Sequence, residues 1–210
     1  IDTYAGDLTI AGKRSGDPYK SAGLLIGTEI VANTSTGDVS LSSTTGNISL
    51  DGVSEATGDF IWSHGLLVVL SGGDDLSITS TTGNISLLGD ATNAAQQNGE
   101  AVGIVVQVDD GSNTTEQFNV STDGGAITWS GQSGHSGDDD GLALRSRDES
   151  GSITIGDNDT GDITFEIGSL QTADRGADSI AIESASNVVF EGPGSNNFST
   201  AITLSDEYDF

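Results

Sequence analysis

A thirteen-residue segment of this chain occurs twice in nearly identical form. The residues from Asp38 to Leu50, DVSLSSTTGNISL, return as DLSITSTTGNISL from Asp75 to Leu87, at an offset of 37 residues. A match at such an offset is typical of repeat architectures, in which each repeat stacks on the next. Because a stack of repeats needs no single globular centre, this feature constrains the fold more than any other.

The second half of the segment, an apolar-x-apolar triplet after a polar residue, can be followed through the whole chain. We call these triplets column C. Their leading residues are separated by 40, 37, 42, 36 and 39 residues, which gives a mean period of roughly 39 residues. The triplets begin at Leu8, Ile48, Ile85, Ile127, Ile163 and Ile202.

Two further columns of triplets run in step with column C. Column B begins at Val39, Leu76, Phe118, Ile153 and Val188. Column A begins at Leu24, Leu66, Ile104, Leu142 and Ile180. Most triplets of column A are entered through a glycine, and the linkers between columns B and C end in glycine, which favours tight corners.

Three short strands in each period, apolar at alternate positions, predict an all-β fold in which parallel strands stack into a three-faced, right-handed β-solenoid. About five to six rungs of roughly 39 residues fit the chain. We expect a single solenoid domain over 1–210, with a partial first rung at 1–22. The repeats are then approximately 23–63, 64–100, 101–140, 141–177 and 178–210.

Composition limits the partners of such a solenoid. Lys and Arg number 6 against 32 Asp and Glu, a formal net charge of -26 that excludes nucleic acid and disfavours anionic membranes. Cysteine is absent and no run of 18 apolar residues occurs, so we expect neither disulfides nor membrane insertion. The chain begins at Ile1 rather than Met, which we interpret as a processed chain or an excised segment.

The middle residues of column A are apolar as well, so both sides of that sheet are predicted to be hydrophobic. A sheet of this kind is covered by something, either a long loop of the same chain or another copy packing laterally. The middle residues are Leu25, Leu67, Val105, Ala143 and Ala181.

The two ends of the chain differ in charge. Terminal rungs expose backbone and apolar side chains, so the sequence predicts head-to-tail assembly through the rod ends. The basic residues near the start are Lys13, Arg14 and Lys20, and the acidic residues near the end are Asp206, Glu207 and Asp209.

The outward residues of column C are all hydroxyl-bearing. An exposed strand surface suits Ser and Thr, which form simple ladders there, and a plane that contacts ice or polysaccharide is the alternative interpretation. The column contains Thr9, Ser49, Ser86, Thr128, Thr164 and Thr203.

Acid-rich turns make calcium the one cofactor that we consider. Carboxylates at alternate positions of a turn supply the oxygen ligands that calcium prefers, although no complete twelve-residue calcium loop is present. Solvated acidic turns adapted to high salt are the alternative. The candidate ligands are Asp109, Asp110, Asp138, Asp139, Asp140, Asp157, Asp159 and Asp162.

Asn-x-Ser/Thr sequons are frequent, partly because the repeat duplicates them, and they suggest N-glycosylation only weakly. They begin at Asn33, Asn47, Asn84, Asn113, Asn119, Asn158 and Asn197.

Motifs for catalysis are missing, so we predict that the chain is not an enzyme. Phosphate-loop, nucleophile-elbow and zinc-protease patterns are absent from the sequence. His64 and His135 lie in Gly/Ser-rich connections and are predicted to be exposed. The best enzymatic alternative is a carbohydrate lyase or hydrolase that uses Arg145 and Arg147 near the acidic residues 138–140.

Units such as Gly46-Asn-Ile-Ser-Leu50 and Gly161-Asp-Ile-Thr-Phe165 resemble the repeats of filamentous-haemagglutinin-type bacterial adhesins. The resemblance implies a right-handed parallel β-helix, export to the cell exterior and a role as a stalk, fibre or adhesive surface. Those repeats are usually near 20 residues long, shorter than the period found in this chain.

The expected function is therefore that of an extracellular structural protein, a subunit or segment of a cell-surface fibre or adhesin. Its expected partners are other copies of itself and a surface polysaccharide. A carbohydrate-binding or carbohydrate-cleaving β-helix is the alternative, and an ice-binding protein is a minor one.

Overall fold

A computed structural model shows a stack of parallel β-strands. It describes residues 1–16, 20–27, 37–56, 62–92, 100–108, 116–133, 141–146, 151–157, 159–167, 170–174, 179–184, 188–191, 197–198 and 202–206. Beyond residue 167 the description covers the backbone alone. Every regular element within these ranges is a strand.

The strands form three sheets, each named here after its first strand. The β1 sheet contains, in stacking order, β1 (Asp2–Thr3), β4 (Val39–Ser43), β7 (Asp75–Ser80), β10 (Gln117–Thr122), β13 (Ser152–Gly156), β16 (Ser179–Ser184) and β19 (Ile202–Asp206). The β2 sheet contains β2 (Leu8–Gly16), β5 (Ile48–Ala56), β8 (Ile85–Ala91), β11 (Ile127–Ser133), β14 (Ile163–Ile167) and β17 (Val188–Glu191). The β3 sheet contains β3 (Lys20–Gly27), β6 (Trp62–Leu70), β9 (Glu100–Val108), β12 (Leu142–Ser146), β15 (Leu170–Asp174) and β18 (Asn197–Phe198).

Strand pairing is parallel throughout these sheets, and equivalent positions of the repeat face one another. Ile48 pairs with Ile85, and Ile85 pairs with Ile127, at the start of successive strands of the β2 sheet. The prediction of an all-β, parallel solenoid with three faces is confirmed. Columns B, C and A correspond to the β1, β2 and β3 sheets over the first four triplets of each column.

The later turns are shorter than predicted, and this shifts three strands to other sheets. Ile180, assigned to column A, pairs with Ile153 in the β1 sheet, and Ile202, assigned to column C, pairs with Ile180 in that same sheet. Val188, assigned to column B, pairs with Ile163 in the β2 sheet. The place in column A is taken by β15, which the sequence pattern missed. All three columns share one apolar-x-apolar pattern, so only spacing distinguished them, and the spacing contracts.

Side chains that point between the sheets form one continuous apolar core. Ile48, Leu50, Ile85 and Leu87 are fully buried, as their alternation in the sequence predicts. Trp129 packs between Phe118 and Phe165, with ring centroids 6.0 Å and 6.2 Å away; the Phe165 ring is stacked on it and the Phe118 ring is tilted. The interpretation of Trp129 as a core residue rather than a sugar-binding residue is confirmed by its full burial.

The β2 and β3 sheets touch backbone to backbone along a line of glycines. A Cβ atom on Gly52 would overlap the carbonyl oxygen of Gly65, and one on Gly89 would overlap that of Gly103. Neighbouring turns repeat this contact, since Gly12 and Gly131 face Gly23 and Gly141 in the same way. We call this line the glycine seam. It allows the two sheets to approach more closely than any side chain permits.

A column of buried hydroxyl groups closes the corner between the β1 and β2 sheets. The Ser80 hydroxyl accepts a hydrogen bond from the Gly83 amide at 2.9 Å and donates to the Gly46 carbonyl of the neighbouring turn at 3.1 Å. Thr122 donates in the same way to the Gly83 carbonyl at 2.8 Å. Both hydroxyls therefore tie their corner to the turn beside it, and that of Ser80 also satisfies an amide of its own corner.

Replacing Ser80 with Ala should lower the free energy of unfolding by about 1–3 kcal/mol, because the substitution leaves a buried amide and a buried carbonyl without their partner. Chemical denaturation followed by circular dichroism measures this loss. Thr79→Ala is the matched control, since Thr79 is the adjacent residue and points outward with a half-buried side chain. Equal effects of the two substitutions would contradict a structural role for the corner hydroxyl.

Candidate functional surfaces

The outer side of the β3 sheet was predicted to be a surface for lateral assembly. Most of its apolar residues with described side chains are buried. Val105 and Ala143 are fully buried and Leu67 is 8% exposed, although they point away from the main core. Only Leu25 remains open, at 39% exposure. The assignment of Ala181 to this surface was wrong, because its strand lies in the β1 sheet. At Leu67, Val105 and Ala143 the apolar outer side is therefore covered within the single chain, whereas at Leu25 it is open.

His64 lies on this covered side, so the prediction of an exposed loop histidine was wrong. It sits in β6, it is 3% exposed, and its Nδ1 atom has no hydrogen-bond partner. Burial, reinforced by the positive charge of Arg145, lowers the pKa of His64 to about 3. The imidazole is therefore neutral at physiological pH. Its position in the strand that starts at Trp62 was concealed by the Gly-rich sequence around it.

The buried His64 should make the fold sensitive to acid. The unfolded chain takes up a proton at this residue near pH 6.5, whereas the folded chain resists protonation down to about pH 3. The free energy of unfolding is therefore unaffected by His64 above pH 6.5, and it falls by a few kcal/mol as the pH is lowered from 6.5 to about 3. Denaturant titrations of the wild type and His64→Leu across this range measure the difference. Parallel pH profiles for the two proteins would contradict this account.

The acidic turns do not converge on a metal site in the part of the chain that the structure describes. The Asp157 carboxylate instead accepts hydrogen bonds from the Asp159 amide at 3.1 Å and the Thr160 hydroxyl at 2.8 Å, within its own turn. Asp162 lies at the start of the next strand, where its carbonyl accepts a hydrogen bond from the Ile127 amide. Asp109, Asp110, Asp138, Asp139 and Asp140 lie outside the described residues.

Asp and Asn side chains form ladders between turns that the sequence analysis did not foresee. The backbone amide of Asn47 donates to Asp7 Oδ1 at 2.8 Å, and the backbone amide of Asn84 donates to Asn47 Oδ1 at 2.9 Å. A second ladder joins the Asp75 amide to Asp38 Oδ1 at 3.0 Å. The signal for the ladders was the recurrence of Asp or Asn before strands of the β2 sheet, at Asp7, Asn47 and Asn84. These carbonyl and carboxylate oxygens cap the free amide at the head of the next strand.

The sequons fall in several environments. Asn47 and Asn84 are exposed members of the ladder in neighbouring turns, roughly 4.8 Å apart. That spacing is too small for glycans on both residues. Asn119 lies mid-strand in β10, and Asn197 belongs to β18, of which only the backbone is described. Asn33, Asn113 and Asn158 lie outside the described residues.

The charged ends are only partly described. Lys13 forms an ion pair with Glu55 in the next turn at 2.7 Å, and both side chains are largely solvated, so the pair contributes little stability. Arg14 is exposed beside it in β2. Lys20 and Asp206 belong to β3 and β19, whose backbone alone is described at these positions, and Glu207 and Asp209 lie outside the described residues.

The hydroxyl column predicted on column C is interrupted. Thr9, Ser49, Ser86, Thr128 and Thr164 do follow one another on the outer side of the β2 sheet, as predicted. The next residue in line is Val189. The assignment of Thr203 to this column was wrong, because Thr203 pairs with Ala181 in the β1 sheet. Asp51 and Glu166 stand beside the hydroxyls, so this surface is also charged.

The outer side of the β1 sheet differs from the other two. Its mid-strand outward residues in β4, β7, β10 and β13 are uncharged and polar, and we call this surface the neutral face. The residues are Ser40, Ser42, Ser77, Thr79, Asn119, Ser121 and Thr154. They are exposed or half-buried and alternate with fully or largely buried residues of the core.

Arg145, the basic residue of the enzymatic alternative, lies in β12 and pairs with Gln107 of β9. Its side chain is half-buried beside the covered apolar cluster. Arg147 and the acidic residues 138–140 lie outside the described residues, so the proposed cluster is not placed. Among the described elements there is no helix with the length and apolar character to span a bilayer.

The architecture defines the class of this protein, which is a β-solenoid of three parallel sheets. Searches against family models, curated proteins and solved structures gave no match to the chain.

Proposed function

We propose that this chain is an extracellular structural protein, a segment or subunit of a cell-surface fibre or adhesin stalk that is extended through its rod ends. The observation that supports the proposal most is the in-register stacking of three parallel sheets around one core. Successive turns present the same backbone edges and the same core positions. A stack of this kind is extended by adding turns, without a change in its cross-section.

The first turn supports extension through the ends. Strands β1, β2 and β3 are the outermost strands of their sheets, so one edge of each has no partner among the described residues. Leu8, Ile10, Leu24 and Ile26 are only partly buried, whereas the equivalent residues one turn later are fully buried. Unpaired strand edges beside half-open core positions can receive a further parallel turn, whichever polypeptide supplies it.

The resemblance to filamentous-haemagglutinin-type adhesins gives a finer version of the proposal. Its Gly-Asn/Asp-apolar units coincide with the corners that lead into the β2 sheet, at Gly46, Gly83 and Gly161. In this version the chain lies outside the cell. The net charge of -26 supports that location, because external salt and calcium screen self-repulsion between acidic chains.

Electron microscopy of negatively stained protein tests the structural role. Two copies of the chain fused in tandem should give rods with twice the length and the same width as a single copy. Each turn should add about 4.8 Å to the length. Compact particles that grow in all directions would rule out a rod. Filaments of single copies would establish assembly through the ends, and their dependence on millimolar calcium would give the acidic turns a function.

A further inference from the structure

We propose that the neutral face of the β1 sheet binds an uncharged, extended polysaccharide. This site is independent of the fibre proposal, because a rod that never assembles would still present it. The argument starts from charge. The chain carries 32 acidic residues, yet the outward side chains along the middle of β4, β7, β10 and β13 include none. Carboxylates stand only at its margins. Asp2 lies beside Ser42 in the first turn, Asp38 and Asp75 come two residues before the first of these side chains in their strands, and Asp123 comes two residues after Ser121.

Three of these marginal carboxylates are already engaged, Asp38 by the backbone amide of Asp75 at 3.0 Å. Asp2 accepts a hydrogen bond from the Ser42 hydroxyl at 2.8 Å, and Asp75 accepts one from the Gln117 amide at 2.9 Å. The outer side of the β2 sheet, in contrast, mixes its hydroxyls with Asp51 and Glu166. A neutral ligand that follows the middle of β4, β7, β10 and β13 therefore displaces the hydration of no ion in its path, which would be costly.

Strand register arranges the polar groups as a regular lattice. Ser40, Ser77, Asn119 and Thr154 follow one another directly across four turns. A second column lies two residues further along the first three of these strands and contains Ser42, Thr79 and Ser121. Neighbouring turns are about 4.8 Å apart, and residues two positions apart along a strand are separated by roughly 6.6 Å. A ligand with hydroxyl groups at regular intervals meets the same partners again at each turn.

Most of the hydrogen-bonding capacity of this lattice is unused within the described part of the chain, although Ser42 donates to Asp2. The side chains of Ser77, Thr79, Ser121 and Thr154 make no hydrogen bond there. The corner hydroxyls of Ser80 and Thr122, in the same strands, instead donate the structural bonds between turns. The strands thus separate their hydroxyl groups into a structural set and a free set.

The size of the neutral face decides between a polysaccharide and a second protein copy. The seven positions of the two columns cover roughly 200 Å². A stable protein pair buries about 800 Å² on each partner, so this face alone is too small for one. A linear polysaccharide needs only a narrow strip, and it gains strength from contact with several copies at once. Because no charge takes part, its binding should be nearly independent of salt.

Sedimentation with insoluble polysaccharides tests the proposal. We expect the chain to bind microcrystalline cellulose or crosslinked dextran, to bind carboxymethyl cellulose much less, and to retain its binding over a roughly tenfold range of NaCl. Ser77→Glu should weaken binding about tenfold, because it places a charge that must be desolvated in the middle of the lattice. Ser86→Glu is the matched control, since Ser86 lies in the same turn and points outward, half-buried, from the β2 sheet.

Asn119→Asp provides a second test that preserves size and fold, and it should also weaken binding. Thermal unfolding shows that each variant is folded. The proposal is overturned if neither neutral matrix binds the chain, if carboxymethyl cellulose binds it equally, or if Ser77→Glu and Ser86→Glu behave alike. Dimerisation or inhibition of ice growth that Ser77→Glu abolishes, without polysaccharide binding, would assign the face to another partner and also overturn it.

Discussion

Gly52→Ala should destabilise the protein by about 3 kcal/mol or more and lower its melting temperature by roughly 10 °C, although it adds only one methyl group. The added Cβ atom would overlap the carbonyl group of Gly65 and the backbone amide of Leu24. All of the atoms that it meets belong to backbone, so no side chain can rotate away. Relief requires the β2 and β3 sheets to separate, which would open the core on one side of the glycine seam.

Gly6→Ala is the control for this prediction. Gly6 also lies in the first part of the chain, but a Cβ atom there has no neighbour within 4 Å. We expect a change within about 0.5 kcal/mol for this variant. Differential scanning calorimetry of the two variants measures the contrast. Equal melting temperatures for Gly52→Ala and Gly6→Ala would contradict the close approach of the β2 and β3 sheets.

Ile85→Asp should prevent stable folding, with a loss of about 4 kcal/mol or more. Ile85 is fully buried and lies between Ile48 and Ile127 of the neighbouring turns. A carboxylate at this position has no cation or hydrogen-bond donor in its column. It would be buried uncompensated or would force the β2 sheet to open.

The neighbouring Ser86→Asp substitution makes this test specific. Ser86 points outward, where a charge stays hydrated, so we expect a change within about 0.5 kcal/mol. Circular dichroism and proteolysis of the two variants compare the same substitution on opposite sides of one strand. Similar behaviour of both variants would contradict the inward orientation that the alternation of the sequence predicts.

The sequence predicts the first turns well because their spacing is nearly constant and their side chains alternate strictly. Val39, Leu76 and Phe118 were placed in one column, and the structure pairs them. The last turns could not be placed, because the sequence separation of paired residues decreases along the chain. It is 42 residues for Leu76 and Phe118 but 22 residues for Ile180 and Ile202. Hydrogen bonding between strands fixes which residues pair, but it leaves the length of the connection free.

The candidate surfaces were harder to predict than the fold. Apolar residues on both sides of the β3 sheet indicated a cover, and the burial of Val105 shows one, but the sequence could not choose between a loop and a second copy. The sequence pattern indicates only one side of the glycine seam. The glycines before column A recur with the triplets, whereas Gly52 and Gly89 lie inside strands of the β2 sheet. Only the contact between the β2 and β3 sheets shows that these glycines face one another.

The stacking direction has a mechanical consequence. The hydrogen bonds between turns lie along the rod, so tension applied to its two ends loads the turns in series and the weakest turn opens first. A turn with a spacing of 36 to 42 residues adds only about 4.8 Å to the folded rod but releases more than roughly 100 Å of chain when it opens. Such a rod lengthens in large steps under load, and the turns that remain closed are protected from further strain.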